Sequence, residues 1–306
     1  MKQIWQYIRG YQKELDQRVF IGTVLFTGTL IYFNYAFHLE QHLIQWQYLP
    51  FPGLTGHVIL YAAAFSVPYF LYSIFQTRNY FKDPKFTGLL LLAALVFACK
   101  VTNHFTTDFF PPGINGDYWN QVIYWPIRLI FIAVVLFIIK RKGSGDFYGL
   151  SIKQFSPHPY LQMLLLMVPL IIFASTQADF LAMYPKLNHA ISQIPFEKHQ
   201  WAGKILFELS YGSDFFSIEL FFRGFLIMAF TRFAGKHAIL PMACFYCTIH
   251  FGKPLFECIS SFWGGLLLGI VSYNTRSITG GLMVHLGIAW MMELGGYWGN
   301  IFKHIQ

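Results

Sequence analysis

Glu219, Arg223, His250 and His285 interrupt three apolar runs towards the C-terminus of the chain. Ionisable side chains inside a bilayer are costly, and by default they mark a functional site whose members partner one another. Glu219 and Arg223 stand four positions apart, so on an α-helix they share a face and can pair. Taken alone, such a pair is explained equally well by helix packing. Their inferred depths carry more. Glu219 precedes Arg232 by 13 residues, roughly 20 Å of helix. His250 follows His237 by 13, again roughly 20 Å, and His285 follows Arg276 by nine, roughly 14 Å. Three helices therefore bring a carboxylate and two imidazoles within about one turn of common depth. A lone histidine in an apolar helix is usually a hydrogen-bonding core group; two of them level with a carboxylate point to proton transfer. A neutral imidazole and a carboxylate can together deprotonate water, and a second imidazole can donate to a developing oxyanion. No serine is placed to complete a triad, so water is the expected nucleophile.

The elements that must hold these residues are membrane helices. The 306-residue chain is 55% hydrophobic and only 12% charged, against about 25% charged in an ordinary soluble domain. A spanning helix needs about 20 mostly apolar residues. Candidate runs fall near 18–37, 57–76, 85–102, 121–139, 159–177, 204–230, 237–252, 256–274 and 277–299. The expected fold is an all-α, polytopic transmembrane bundle of about eight or nine spans. Basic residues alternate between connections: Lys2, Arg9, Lys13 and Arg18; Arg78, Lys82 and Lys85; Lys140, Arg141, Lys142 and Lys153; Arg232 and Lys236; Arg276. The intervening stretches 39–55 and 103–120 have no Lys or Arg, which by the positive-inside rule puts the N-terminus in the cytosol. Residues 1–17 have mixed charge and run directly into the first apolar segment, the pattern of an uncleaved anchor. The net charge of +8 forms no stripe suited to nucleic acid, and no nucleic-acid partner is expected. Cys244 and Cys247 make a lone CxxC without a second pair, read as helix packing. A supporting set of helices over 1–156 and a polar-bearing core over 157–306 complete the expected organisation. Arg128 is expected in a structural ion pair with Glu208, Asp214 or Glu293, and Lys100 is expected to snorkel from a span end.

At these residues the chain resembles a known family. Glu219-Leu-Phe-Phe-Arg223-Gly224, Tyr246 four residues before His250, and His285 in the last run resemble the three motifs of the CPBP family. These are the CAAX prenyl endopeptidases and the bacteriocin-processing and abortive-infection homologues of bacteria, which are intramembrane proteases. The resemblance covers roughly residues 200–292. It implies a motif-one Glu and His250 activating water, His285 with a motif-three Asn stabilising the oxyanion, and Arg223 holding Glu219. Two positions depart from the pattern: aligned on Arg223, the first Glu of the motif is Ile218, and the Asn position is Ala289. Glu257, just past the tight turn at Gly252 and Pro254, resembles a bacterial branch of the family and offers a second carboxylate; its plainer reading is an acid favouring the first turn of the next helix.

The sequence thus implies an intramembrane endopeptidase-like protein of the bacterial inner membrane, with Glu219, Arg223, His250, His285 and Glu257 as its site residues. Its expected partners are the lipid bilayer and a membrane-associated peptide or lipidated protein substrate. No cofactor is expected: one carboxylate and two histidines could ligate zinc, but water activation without metal is preferred. Two rivals are a catalytically impaired relative that binds a membrane peptide uncut, which Ile218 and Ala289 favour, and a transporter or proton relay. Discontinuous paired helices or an internal repeat would mark the latter, and neither is evident.

Overall fold

The computed structural model describes residues 2–45, 51–102, 109–140, 146–151, 155–190 and 200–303. The basic positions 141, 142 and 153, and part of the connection expected over 178–203, lie outside the described residues. Helices follow in the order α1 (Lys2–Glu14), α2 (Gln17–Phe37), α3 (Leu39–Gln45), α4 (Pro52–Phe75), α5 (Pro84–Thr102), α6 (Ile114–Lys140) and α7 (His158–Ala174). Two short helices, α8 (Ala178–Leu181) and α9 (Lys186–Ala190), precede α10 (Gln200–Glu219). A π-helical segment, Leu220–Leu226, leads to α11 (Ile227–Ala234), α12 (Ile239–Thr248), α13 (Leu255–Thr275) and α14 (Thr279–Lys303). There is no strand among the described residues, and the all-α expectation holds.

Among the described residues, five helices are long and apolar enough to cross a membrane: α2, α4, α5, α6 and α13. Each of the five coincides with one of the expected runs. The short run expected at 237–252 folds as only ten residues of α-helix, about 15 Å long, before the chain turns. The α7 helix has 17 residues, and α10 carries Lys204, Glu208, Asp214 and Glu219.

The chain forms two compact units. The first comprises Met1–Thr102, Gly145–Ser151 and Leu220–Ile278. Its centre is aromatic: Phe65, Tyr69, Phe86, Phe97, Phe222, Phe230 and Phe245 are all buried and meet mostly at steep angles, as with Phe65 on Phe230 (4.9 Å, 74°), an arrangement that suits ring quadrupoles. Every residue of α12 is buried, so this helix is a core element and needs no full span. Lys100, expected to snorkel, is instead buried at 2% exposure, its ammonium 5.1 Å from the Phe97 ring centroid.

Beside α11 the same unit buries His237 in a short 3₁₀ turn preceding α12. Its imidazole stacks on Tyr72 (4.1 Å, 11°), and its Nδ1 lies 2.7 Å from the Tyr80 hydroxyl. Burial, with Arg78 and Lys236 nearby, pushes the pKa down to about 4 from an ordinary 6.5. The folded ring is therefore neutral where the unfolded one takes a proton. Its stabilising contribution is complete above pH 6.5 and is lost as pH falls through 4. Thermal unfolding in detergent is expected to show stability falling over that window, by on the order of 2 kcal/mol. His237→Gln is expected to remove most of the slope, and an unchanged slope would exclude His237 as its source.

The second unit comprises Asn103–Ser144, Ile152–Glu219 and Thr279–Gln306. The α10 helix packs on α6 through Phe207 and Tyr211 against Trp125, with the Tyr118 hydroxyl donating to the Gly203 carbonyl at 2.8 Å. On α14, Gly280, Gly287 and Gly295 recur at seven- or eight-residue intervals, where added Cβ atoms would meet Tyr160, Leu164 and Ile171 of α7. This glycine face lets the two helices approach closely.

Candidate functional site

In the second unit, α10 and α14 bring Glu219 and His285 together. Glu219 Oε1 lies 2.9 Å from His285 Nδ1; the Glu219 side chain is wholly buried and that of His285 is 13% exposed. An ionised carboxylate only accepts, so Nδ1–H is the donor and the ring's other nitrogen, Nε2, keeps its lone pair. Phe215, one turn before Glu219, packs edge-on against the imidazole (4.8 Å, 74°). Gly212, a further turn back, meets Leu286, so a single face of α10 presents Gly212, Phe215 and Glu219 to α14. The result is an imidazole held in one tautomer and one orientation by a buried acid. Ile218 and Ala289 belong to the same two helices; Ala289 is buried and neither side chain can exchange a proton.

Past Glu219 the α-helix stops, and Leu220–Leu226 winds as a π-helix. Arg223 lies within this segment, so the four-residue spacing expected to set it on one face with Glu219 spans the change of winding. Such segments are uncommon and recur at functional sites.

In the first unit, Arg223 heads a different arrangement. It is fully buried, and its guanidinium lies over the Tyr246 ring at 3.9 Å. Tyr246 in turn meets the His250 ring edge-on (4.8 Å, 65°), and its carbonyl lies 3.1 Å from His250 Nδ1. A carbonyl cannot donate, so this ring also carries its proton on Nδ1 and leaves Nε2 as an acceptor. Room for Tyr246 comes from Gly265, where a Cβ would sit 2.9 Å from the tyrosine ring. The turn after His250 is pinned by Lys253 N–H donating to the His250 carbonyl at 3.0 Å and by the Tyr35 hydroxyl donating to the Lys253 carbonyl at 2.5 Å.

Glu257 occupies the first turn of α13, 3.7 Å from Lys253 Nζ. That is the setting of an acid complementing a helix N-terminus. Of the CxxC cysteines, Cys244 accepts from Thr27 at 3.2 Å and Cys247 lies 3.9 Å from Cys258. No cluster of three or more His, Cys, Asp or Glu suited to a metal occurs among the described residues. Arg128 stacks over Tyr124 at 4.1 Å, while Glu293 accepts from the Lys186 amide at 2.8 Å.

Sequence reasoning named both histidines, Glu219 and Arg223, but assigned no role to Phe215 or Gly265. Nothing in the periodicity of an apolar helix distinguishes the one phenylalanine that touches an imidazole.

Comparison with known proteins agrees with the motifs. Residues 213–291 match the family model described as type II CAAX prenyl endopeptidase Rce1-like. No curated protein and no solved structure matches the chain.

Proposed function

We propose that this chain, Rce1-like over residues 213–291, is an intramembrane endopeptidase that cleaves a membrane-associated or lipidated peptide with water activated by the Glu219–His285 pair. The buried 2.9 Å bond between them carries this reading. Glu219 fixes the His285 tautomer, Nε2 takes a proton from water as that water attacks the scissile carbonyl, and the carboxylate stabilises the imidazolium that forms. The same Nε2–H then protonates the departing amine. His250, to which the family resemblance gives a part in water activation, has its Nδ1 likewise occupied and is held by Tyr246, over whose ring Arg223 lies. This redraws the roles that the family resemblance implied, in which His250 was the base and His285 the oxyanion donor. Glu257 is a positioning acid for Lys253. No metal enters the mechanism. We place the protein in the bacterial inner membrane, on the resemblance of the His250–Glu257 stretch to a bacterial branch of the family, with a cytosolic N-terminus, on the alternation of basic connections.

The second reading, a catalytically impaired relative that binds such peptides uncut, draws on Ile218 and Ala289. One experiment separates the two: cleavage of a pool of membrane peptides, including lipidated C-termini, by the full chain reconstituted in bilayers. Product from wild type, reduced about 10²-fold or more in His250→Ala, supports the protease. If wild type is inert but Ile218→Glu cuts, the binding reading leads.

A further inference from the structure

His250 lies on neither of the helices that flank it. The α12 helix ends at Thr248 and α13 begins at Leu255, so the residues between them must satisfy their backbone groups without a helical ladder. Two carbonyls of this turn need donors from elsewhere. A continuing helix would give the His250 carbonyl the amide four positions on, but that residue is Pro254, which has no N–H. The Lys253 N–H substitutes for it at 3.0 Å. On the far side, the ladder of α13 opens with the Cys258 amide donating to the Pro254 carbonyl at 3.0 Å, one residue too late to serve the carbonyl of Lys253. In an apolar bundle that carbonyl requires a side-chain donor.

The donor comes from α2. The Tyr35 hydroxyl donates to the Lys253 carbonyl at 2.5 Å and lies 3.5 Å from the His250 carbonyl. About two turns earlier on α2, Thr27 Oγ1 stands 3.2 Å from Sγ of Cys244 on α12. The α2 helix therefore grips the chain on both sides of His250, and all of these residues belong to the first unit. Tyr32 on the same helix offers a contrast: it is 62% exposed and packs on Phe33 and Phe37 of its own helix. Tyr35 also lies outside the family-matched stretch 213–291, among helices that the sequence presents only as support.

We infer that Tyr35 is a positioning residue: its hydroxyl sets the conformation of the turn that carries His250, and through it the placement of the His250 imidazole. The path is short. Tyr35 fixes the Lys253 carbonyl, the Lys253 N–H fixes the His250 carbonyl, and the ring is held from the other side by the Tyr246 carbonyl, 3.1 Å from Nδ1. With the hydroxyl gone, the Lys253 carbonyl turns towards another donor, and the residue that holds the His250 carbonyl turns with it. A hydroxyl that only satisfied a carbonyl would leave the imidazole where it is. The effect on rate rests on the endopeptidase reading; the placement of the imidazole does not.

The test uses the full chain in bilayer discs with its histidines labelled for nitrogen NMR, His250 being identified by the signals lost in His250→Ala. Tyr35→Phe, which removes the hydroxyl and keeps the ring, is expected to move the His250 imidazole signals, and its unfolding temperature checks that it is folded. Tyr32→Phe is expected to leave those signals in place. In the peptide-cleavage assay Tyr35→Phe is expected to lower kcat roughly 10- to 10²-fold with KM unchanged. A ring-fluorinated tyrosine at position 35, which retains the donor, is expected to restore the rate. The fluorinated residue also serves if Tyr35→Phe does not fold: it alters only the acidity of the donor, and is expected to shift the His250 signals in a chain packed as the wild type. His250 signals that ignore both changes overturn the assignment, whatever happens to the rate. So does a wild-type kcat in Tyr35→Phe. A wild type that cuts nothing removes the endopeptidase reading alone, and the His250 signals still decide for or against Tyr35.

Discussion

Glu219→Gln is expected to lower peptide cleavage by about 10²- to 10⁴-fold while leaving the chain folded. Glutamine has the shape of glutamate and keeps an oxygen that can accept from His285 Nδ1, so the 2.9 Å contact survives. What is lost is the negative charge that stabilises the imidazolium in the transition state, together with the obligation of Nδ1 to be the donor. An amide can also present its N–H₂, which would turn the ring to the wrong tautomer. The loss should therefore fall on kcat with KM nearly unchanged, because the pair acts on the reacting atoms and not on substrate binding. Glu219→Ala makes a useful contrast. It leaves His285 facing a hole inside the second unit and is expected to cost about 3–5 kcal/mol of stability, the range for breaking a buried pair. If Glu219→Gln cuts at the wild-type rate, the pair is a packing device and the base must be sought elsewhere.

The sequence carried the helices and the polar residues well, because both are local signals. Apolar runs long enough to span, and a carboxylate or imidazole inside them, are visible at a glance. Other features depended on winding or on distant partners. The π-helical turn at Leu220–Leu226 has the composition of the α-helix around it, so no pattern announces it. The ten-residue length of α12 was hidden by Ile249 and Phe251, apolar residues that extend the run past the helix end. Lys100 read as a snorkelling lysine because its position near a helix end was visible and the Phe97 face beneath it was not. His237 looked like a boundary marker; its partners Tyr72 and Tyr80 lie more than 150 positions away. The Glu219–His285 bond was approached only through depth, and depth matches residues without saying which face each one presents.

Arg223→Ala is expected to be the most destabilising single change in the first unit, by about 3–5 kcal/mol, the range for truncating a large, fully buried side chain. Arg223 is completely buried, and its guanidinium plane covers the Tyr246 ring at 3.9 Å. Truncation removes that desolvated cation–π contact, worth about 2 kcal/mol, and opens a cavity in the aromatic centre beside Phe222, itself 5.2 Å from Tyr246. Arg223→Lys is expected to recover only part of the loss, since an ammonium cannot lie flat on a ring. The coupling is measurable directly. In a double-mutant cycle of Arg223→Ala with Tyr246→Leu, thermal or denaturant unfolding in detergent should return an interaction energy of about 1–2 kcal/mol. The same displacement should reach function, because the Tyr246 carbonyl orients His250 and the ring is seated in the space left by Gly265. Gly265→Val, whose side chain would press on the Tyr246 ring, is therefore expected to impair cleavage with Arg223 intact. A coupling near zero, with Gly265→Val fully active, would separate Arg223 from His250 and leave the arginine a purely structural cation.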